Sequence, residues 1–239
     1  MVTKNQIKLV VSLKQKKYRS QHGLFVVEGE KLVDELLSAG LKPYQIFVDD
    51  AGLVQRFEQA ELVSGKTLKQ MSNLTHPSGI LGVFRMKDSK DLDLEDWVVA
   101  LDAVRDPGNM GTIIRLCDWF GIKTLVCSPD TVDCYNPKVL QATMGSIARV
   151  NIEYADLTVF LENVHRPIYG AYMEGEPVYG SNLTEKGILV MGNEANGVSD
   201  EVGKFITHKI AIPQFGAATA ESLNVATATA ILLNEIRRG

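Results

Sequence analysis

Short apolar runs alternate with helical patterns through the second part of the chain, from Trp97 onward. The run WVVALDAV at 97–104 is apolar at nearly every position, which is typical of a parallel strand buried on both faces. The order of patterns predicts an α/β domain with an open parallel sheet covered by helices on both faces. The predicted elements are strand 97–104, helix 109–120, strand 123–128, helix 136–146, strand 149–154, helix 156–164, strand 166–173, strand 187–192, helix 199–206, strand 208–213 and helix 221–238.

The first 85 residues carry a smaller pattern of the same kind. Strands are predicted at 23–29, 44–50, 60–64 and 79–85, and helices around Ile7–Leu13 and at 30–40 and 65–73. The stretch MKDSKDLDLED at 86–96 is polar, mostly acidic and without a hydrophobic period, so it predicts a linker. The predicted domains are therefore a small α/β unit at 1–85, a linker at 86–96 and a larger domain at 97–239.

Charge changes the picture of the N-terminal unit. The chain has 239 residues, 45% of them hydrophobic and 23% charged, with a net charge of −4, which is ordinary for a globular protein. Residues 1–20 nevertheless contain no acid and six basic residues. A local basic patch is typical of phosphate binding, although a solvated helix face explains the charges equally well. The candidate RNA-binding residues in the patch are Lys14, Lys16, Lys17 and Arg19.

Several common sites have no signature in the sequence. The three cysteines lack CxxC spacing and the four histidines are scattered, so we expect neither a disulfide framework nor a metal site. GxGxxG, GxxxxGK[ST] and GxSxG motifs are missing, which argues against a Rossmann site, a P-loop and a hydrolase elbow. No signal peptide and no apolar run of membrane-spanning length is present, so we expect a cytoplasmic protein without membrane contact.

Three polar loops follow predicted strands, at the edge where open parallel sheets bind ligands. The first, at 101–121, contains the turn sequence DPGNMG and Arg115, which lies off the apolar helix face and could simply pair with Asp118. The second, at 187–201, is rich in Gly and Asn around Glu194, with Ser199 as a predicted helix cap.

The third loop leads into the C-terminal helix. That helix is apolar almost all round, which predicts burial, yet its first turn is predicted to hold Glu221, Ser222 and Asn224. Capping and the helix dipole account for one or two of these polar residues but not easily for all three.

Three sequences in this order resemble the motifs of the SpoU (TrmH-type) RNA 2'-O-ribose methyltransferases of the SPOUT superfamily. They are LDAVRDPGNMGTIIR, MGNEANGVS and IPQFGAATAESLNVATATAILLNEIRR, and the match covers about 97–238. The first segment, with KYRSQHGLFVVEGEKLVDELLSAG, is similar to the small RNA-binding domain that precedes this catalytic domain in many members that act on ribosomal RNA.

The resemblance implies a deep trefoil knot in the parallel sheet domain, a homodimer, and S-adenosylmethionine as cofactor, bound in the knot. Carried over by position, it implies catalytic roles for Asn109, Arg115, Glu194, Ser222 and Asn224. It also implies that Gly192, Ile212 and Leu223 cradle the cofactor. Ala195 and Gln214 depart from the common family pattern, and the resemblance assigns no role to Glu221.

The implied reaction is methyl transfer to a ribose 2'-hydroxyl of RNA, with ribosomal RNA preferred over transfer RNA. Because guanidinium stays protonated in proteins, we expect Arg115 to hold a phosphate and stabilise the developing alkoxide instead of acting as a plain base. Glu194 either positions the other groups or receives a proton. The alternatives are a transfer-RNA 2'-O-methyltransferase, a base methyltransferase and a non-catalytic RNA-binding protein on the same fold. The Asn-Arg pair of the first motif favours ribose over a base.

Overall fold

The computed structural model describes residues 2–57, 59–88, 92–216 and 222–238. Its helices are α1 (Lys4–Ser12), α2 (Lys16–His22), α3 (Glu30–Ser38), α4 (Ala51–Arg56), α5 (Gly65–Met71), α6 (Pro107–Trp119), α7 (Pro137–Thr143), α8 (Leu157–Glu162), α9 (Asp200–Gly203) and α10 (Val225–Arg238). Its strands are β1 (Leu24–Glu28), β2 (Pro43–Val48), β3 (Ala60–Leu62), β4 (Ile80–Arg85), β5 (Val98–Leu101), β6 (Thr124–Cys127), β7 (Asn151–Tyr154), β8 (Ile168–Pro177), β9 (Ile188–Met191) and β10 (His208–Ala211).

The larger sheet has six strands in the order β10-β8-β9-β5-β6-β7, and all its pairings are parallel. Every residue of β5, β6 and β9 is buried, as the uninterrupted apolar runs predicted. The predicted α/β class with a parallel sheet is therefore confirmed. The trefoil knot stays a prediction.

The N-terminal sheet is mixed and has the order β1-β4-β2-β3. Strand β4 pairs antiparallel with β1 and β2, whereas β2 and β3 are parallel. All of β1 is buried, and Phe25 and Phe84 from paired strands stack in the core. The sequence patterns predicted these strands, but they did not predict the short helices α2 and α4.

The chain divides into two compact units, and the first contains a segment from far along the sequence. It comprises Met1–Asp88 together with Tyr135–Ala148, whereas the second comprises Ser89–Cys134 and Arg149–Gly239. Helix α7 packs on β1 of the N-terminal sheet. The predicted ranges of 1–85 and 97–239 thus differ from these units by the segment 135–148, and the boundary after Asp88 lies within the predicted linker 86–96.

Helix α10 begins later than predicted. Its first residue is Val225, so Ser222 and Asn224 precede the helix and do not lie in its first turn. The Asn224 side chain explains the boundary, because its Oδ1 accepts hydrogen bonds from the backbone amides of Ala226 at 3.0 Å and Thr227 at 3.1 Å. Glu221, the remaining polar residue of the predicted first turn, lies outside the described residues.

Candidate active site

Two of the three polar loops leave neighbouring strands at the same edge of the sheet. Leu101 at the end of β5 pairs with Met191 at the end of β9, and the Asp102 amide donates to the Met191 carbonyl at 2.9 Å. A further bond joins the loops where they leave the sheet, from the Ser199 amide to Asp102 Oδ2 at 2.7 Å. The loops after β5 and β9 are therefore held side by side.

A chain of side-chain hydrogen bonds connects all three motifs. Asn224 donates from Nδ2 to Asn109 Oδ1 at 2.8 Å, and Asn109 donates from Nδ2 to Glu194 Oε1 at 2.9 Å. Asn109 lies in the first turn of α6, Glu194 in the loop after β9, and Asn224 at the start of α10. The structure thus brings together three of the five side chains that the sequence analysis assigned to catalysis.

The carboxylate of Glu194 faces donors from the first loop. Its Oε1 and Oε2 lie 3.4 and 3.5 Å from the backbone nitrogens of Asp106 and Arg105. Asp106 in turn caps α6, accepting from the Asn109 amide at 2.7 Å. Both Glu194 oxygens therefore face the segment that begins α6, an arrangement suited to positioning.

Gly192 permits the close turn that carries Glu194. It is buried, and a Cβ at this position would overlap the backbone of Gly197 and Val198. Asn193 and Gly197 close the turn with paired backbone bonds of 2.8 and 2.9 Å. Any side chain at position 192 would thus displace the loop.

The other two residues assigned to the cofactor lie at the third loop. Ile212 directly follows β10 and is half-buried, whereas Leu223, next to Asn224, is exposed to 49%. Phe215 in the same loop is 86% exposed. Apolar side chains are thus available on both sides of the undescribed residues 217–221.

Arg115 lies outside the hydrogen-bonded chain. It is exposed on the outer face of α6, and within the described part of the chain its guanidinium makes no hydrogen bond or ion pair. The alternative pairing with Asp118 does not form, and that carboxylate instead accepts from Arg149 Nε at 2.9 and 3.1 Å. Ser222 is also exposed and makes no side-chain hydrogen bond to a described residue. Both groups therefore face solvent.

The basic patch of the N-terminal unit needs one correction. Arg19 is buried, with 3% of its surface exposed, and its Nη1 donates to the carbonyls of Leu13 and Lys14 at 2.9 Å each. It holds the turn between α1 and α2, so it was wrongly assigned to the RNA-binding surface. Lys14, Lys16 and Lys17 are exposed, and Lys14 Nζ also donates to the Ser72 carbonyl at 2.7 Å.

The buried thiols are unsuited to covalent chemistry. Burial raises the pKa of Cys117 to about 12 and raises that of Cys127 well above its ordinary value, so both remain protonated at neutral pH. In the described ranges, no group of three or more His, Cys, Asp or Glu side chains is placed to hold a metal ion. None of the helices in those ranges is long and apolar enough to cross a membrane.

Two further residues shape the site, Asp102 and Asn193, although no sequence motif assigned them a role. Asp102 is buried and bonds across to the second loop. The Asn193 side chain joins the two loops, since its Nδ2 donates to the Ala103 carbonyl at 2.7 Å. The Gly- and Asn-rich composition of the second loop was the available signal for Asn193, but its partner could not be identified from sequence.

Comparisons with known proteins agree with this geometry. The model of the SpoU rRNA Methylase family matches residues 96–234, and the model of the MRM3-like substrate binding domain matches residues 4–82. The 23S rRNA (guanosine(2553)-2'-O)-methyltransferase RlmP of Bacillus subtilis is 32% identical over 243 residues, covering 98% of this chain and 97% of the relative.

Solved structures are similar over the full length of the chain. A TrmH-family structure from Porphyromonas gingivalis has a TM-score of 0.91 and 36% identity, covering 100% of this chain and 99% of the other. An AdoMet-bound rRNA methyltransferase from Sinorhizobium meliloti has a TM-score of 0.86 and 29% identity, covering 100% and 96%. The chain belongs to the SpoU rRNA methylase family.

Proposed function

We propose that this protein transfers the methyl group of S-adenosylmethionine to a ribose 2'-hydroxyl of ribosomal RNA. The observation that carries the proposal is the hydrogen-bonded chain Asn224–Asn109–Glu194, which joins the three family motifs at the carboxyl edge of the parallel sheet. Relatives named as rRNA 2'-O-methyltransferases support the ribosomal substrate, which is preferred over transfer RNA. A cytoplasmic location stays a prediction that rests on this substrate.

The residues at the site fit the proposed cofactor. Gly192 lets the backbone turn closely after β9, while Ile212 and the half-exposed Leu223 offer apolar surface after β10. Backbone polar groups beside apolar side chains suit an adenosine moiety. When bound, S-adenosylmethionine supplies a methyl group on a sulfonium, which is already activated for transfer.

The protein's own residues then have to orient a poorly acidic hydroxyl. Asn109 cannot turn freely, because its amide is bonded at both ends, and we assign it to positioning the reacting ribose. Glu194 is assigned to holding Asn109 and the start of α6, since both of its oxygens face donors.

Among the residues assigned to catalysis, Arg115 and Ser222 are exposed and have no side-chain hydrogen bond to a described residue, so both can bind RNA. The protonated Arg115 guanidinium is assigned to a phosphate next to the reacting ribose and to the charge that develops on the 2'-oxygen. The Ser222 hydroxyl is exposed beside Leu223 and is assigned to the ribose or the cofactor.

The N-terminal unit is proposed to bind the RNA substrate. Its surface contribution comes from Lys14, Lys16 and Lys17, which are exposed in a stretch without acids. The 2'-hydroxyl itself distinguishes RNA from DNA at the reactive position.

The active form is proposed to be a knotted homodimer. Trp119 is 81% exposed at the end of α6, four residues beyond Arg115 on the same outer face. A large exposed aromatic side chain is typical of an interface. If this face were buried in the dimer, Arg115 of each protomer would lie close to the candidate active site of its partner.

The test combines isotopically labelled S-adenosylmethionine with transcripts of ribosomal and transfer RNA, followed by nuclease digestion and mass spectrometry. The expected product is a nucleoside with a methylated ribose in ribosomal RNA. A methylated base or labelled transfer RNA would identify the alternative enzymes, and RNA binding without methyl transfer would identify a binding protein. Arg115→Ala should abolish transfer while RNA and cofactor binding persist; near-normal transfer by this variant would contradict the assigned role.

A further inference from the structure

Ala103, which lies between β5 and α6, has an uncommon backbone conformation. Its φ is 56°, in the left-handed region, which a residue with a Cβ adopts only when its surroundings impose it. The residue lies directly after Asp102 and shortly before Asp106, the cap of α6. Its conformation therefore sets the direction in which the chain leaves β5.

Side chains from two other loops hold this conformation. The Ala103 amide donates to Ser128 Oγ at 2.9 Å, and its carbonyl accepts from Asn193 Nδ2 at 2.7 Å. Neither bond belongs to the sheet, so both backbone polar groups of Ala103 have side chains as their partners.

Both polar atoms of the Asn193 side-chain amide form hydrogen bonds. Its Oδ1 accepts from the backbone amides of Ala195 at 3.0 Å and Asn196 at 3.1 Å, and these bonds stabilise the turn in the second loop. Its Nδ2 bonds Ala103 and lies 3.5 Å from Glu194 Oε2. One side chain therefore ties the loop that carries Glu194 to the loop that begins α6.

We infer that Asn193 is a positioning residue for methyl transfer, which holds Ala103 in its left-handed conformation and so sets Glu194 against Asn109. The chain after Ala103 turns so that the backbone nitrogens of Arg105 and Asp106 face the Glu194 carboxylate. Loss of the donor at position 193 releases this turn and displaces Asn109 with the start of α6. The inference rests on the proposed function, because its principal readout is methyl transfer.

The sharpest variant is Asn193→Asp, which keeps the Oδ1 acceptor and replaces the donor by an oxygen that repels the Ala103 carbonyl. We expect kcat to fall by about tenfold or more at little change in the KM for RNA, because the defect lies in alignment. The matched control is Asn163→Asp, since Asn163 also donates from Nδ2 to a backbone carbonyl, that of Val159 at 2.8 Å, at the end of α8. This control should retain the wild-type kcat.

A second substitution separates alignment from general damage. Glycine adopts positive φ without strain, so Ala103→Gly alone should remain active, and in its background Asn193→Asp should lose about threefold less activity than in the wild type. Equal losses in both backgrounds, or an unchanged kcat in Asn193→Asp, would overturn the inference.

Hydrogen exchange of residues 102–109 supplies a readout that does not depend on activity. Exchange should accelerate in Asn193→Asp and stay at the wild-type rate in Asn163→Asp. If the wild-type protein methylated no RNA, the proposed function would fail, and this exchange measurement would still decide whether Asn193 holds the turn. Unaltered exchange in Asn193→Asp would show that it does not.

Discussion

Asn224 fixes the side chain of Asn109 through a 2.8 Å hydrogen bond while it also caps helix α10. The two duties use different atoms, because Nδ2 donates to Asn109 and Oδ1 accepts from the helix amides. They can therefore be separated by substitution.

Asn224→Asp should lower kcat by about tenfold to a hundredfold with little change in stability. Aspartate caps a helix as well as asparagine does, but it cannot donate to Asn109. If the Asn109 amide flipped to compensate, its oxygen would face Glu194, so the conflict would only move along the chain.

Steady-state methyl transfer and thermal denaturation together test this separation. The matched control is Asn136→Asp, because Asn136 caps α7 through Oδ1 and lies outside the site. A large fall in melting temperature for Asn224→Asp, with kcat preserved, would contradict the positioning role.

Neutralising Lys16 and Lys17 to Gln should weaken RNA binding and make it less dependent on salt. Each lost phosphate contact reduces the slope of log K against log salt by about 0.7 to 0.9, so a decrease of roughly 1 to 2 is expected. Titration of labelled RNA at several salt concentrations measures the slope. The same substitutions at Lys123 and Lys204, exposed in the C-terminal unit, should leave it unchanged.

Arg19→Gln should behave differently from the lysine variants and provides a further control. Because the buried guanidinium bonds the carbonyls of Leu13 and Lys14, its loss should lower the melting temperature. An Arg19 variant with unchanged stability and weakened RNA binding would restore Arg19 to the binding surface.

Arg237→Ala should destabilise the protein by about 1 kcal/mol, a modest value because the ion pair is partly exposed. Arg237 bonds both oxygens of Asp96, at 2.9 and 2.7 Å, and the Phe120 carbonyl at 2.8 Å. A melting-temperature decrease of about 2–4 °C is expected at neutral pH. Lys186→Ala, which removes a pair with the exposed Glu95, should have almost no effect.

The pH dependence of this difference follows from Asp96. The hydrogen bond from Arg237 lowers the pKa of the Asp96 carboxyl in the folded protein. A lowered folded-state pKa stabilises above the unfolded value of about 4, and that stabilisation is lost as the pH falls through the folded value. The gap between wild type and Arg237→Ala should thus be constant near neutrality and narrow below about pH 4.

Gly145→Ala should be more destabilising than Gly180→Ala, although both glycines have positive φ, of 96° and 80°. A Cβ at Gly145 would lie 2.5 Å from the Cβ of Glu35, whereas one at Gly180 would meet nothing within 4 Å. Both substitutions introduce similar backbone strain. The expected difference of about 1–3 kcal/mol between their free energies of unfolding therefore measures the overlap with Glu35 alone. Equal melting temperatures for the two variants would mean that the segment after α7 moves away from α3 without loss.

The sequence predicted best those elements whose burial is independent of distant partners. The apolar runs of β5, β6 and β9 could be recognised from the sequence because all of their residues are buried. By contrast, the sequence does not distinguish a buried arginine from an exposed one. The burial of Arg19 depends on its hydrogen bonds to the carbonyls of Leu13 and Lys14, which only the structure shows.

Within the site, the resemblance identified Asn109, Glu194 and Asn224, but not how they are joined. The role of Asn193 depends on the Ala103 carbonyl, 90 positions earlier, and on a φ that no propensity predicts. Long-range side-chain to backbone bonds of this kind leave no periodic pattern along the chain.

The membership of Tyr135–Ala148 in the N-terminal unit has a consequence for biosynthesis. The Tyr135 ring lies 4.7 Å from that of Phe25, and Gln141 Nε2 donates to the Glu28 carbonyl at 3.0 Å, so part of the cover of β1 is encoded well downstream of it. A ribosome has to translate β5 and β6 before this cover emerges. During elongation, the nascent N-terminal sheet therefore exposes an apolar surface that chaperones can bind until the segment Tyr135–Ala148 has been translated.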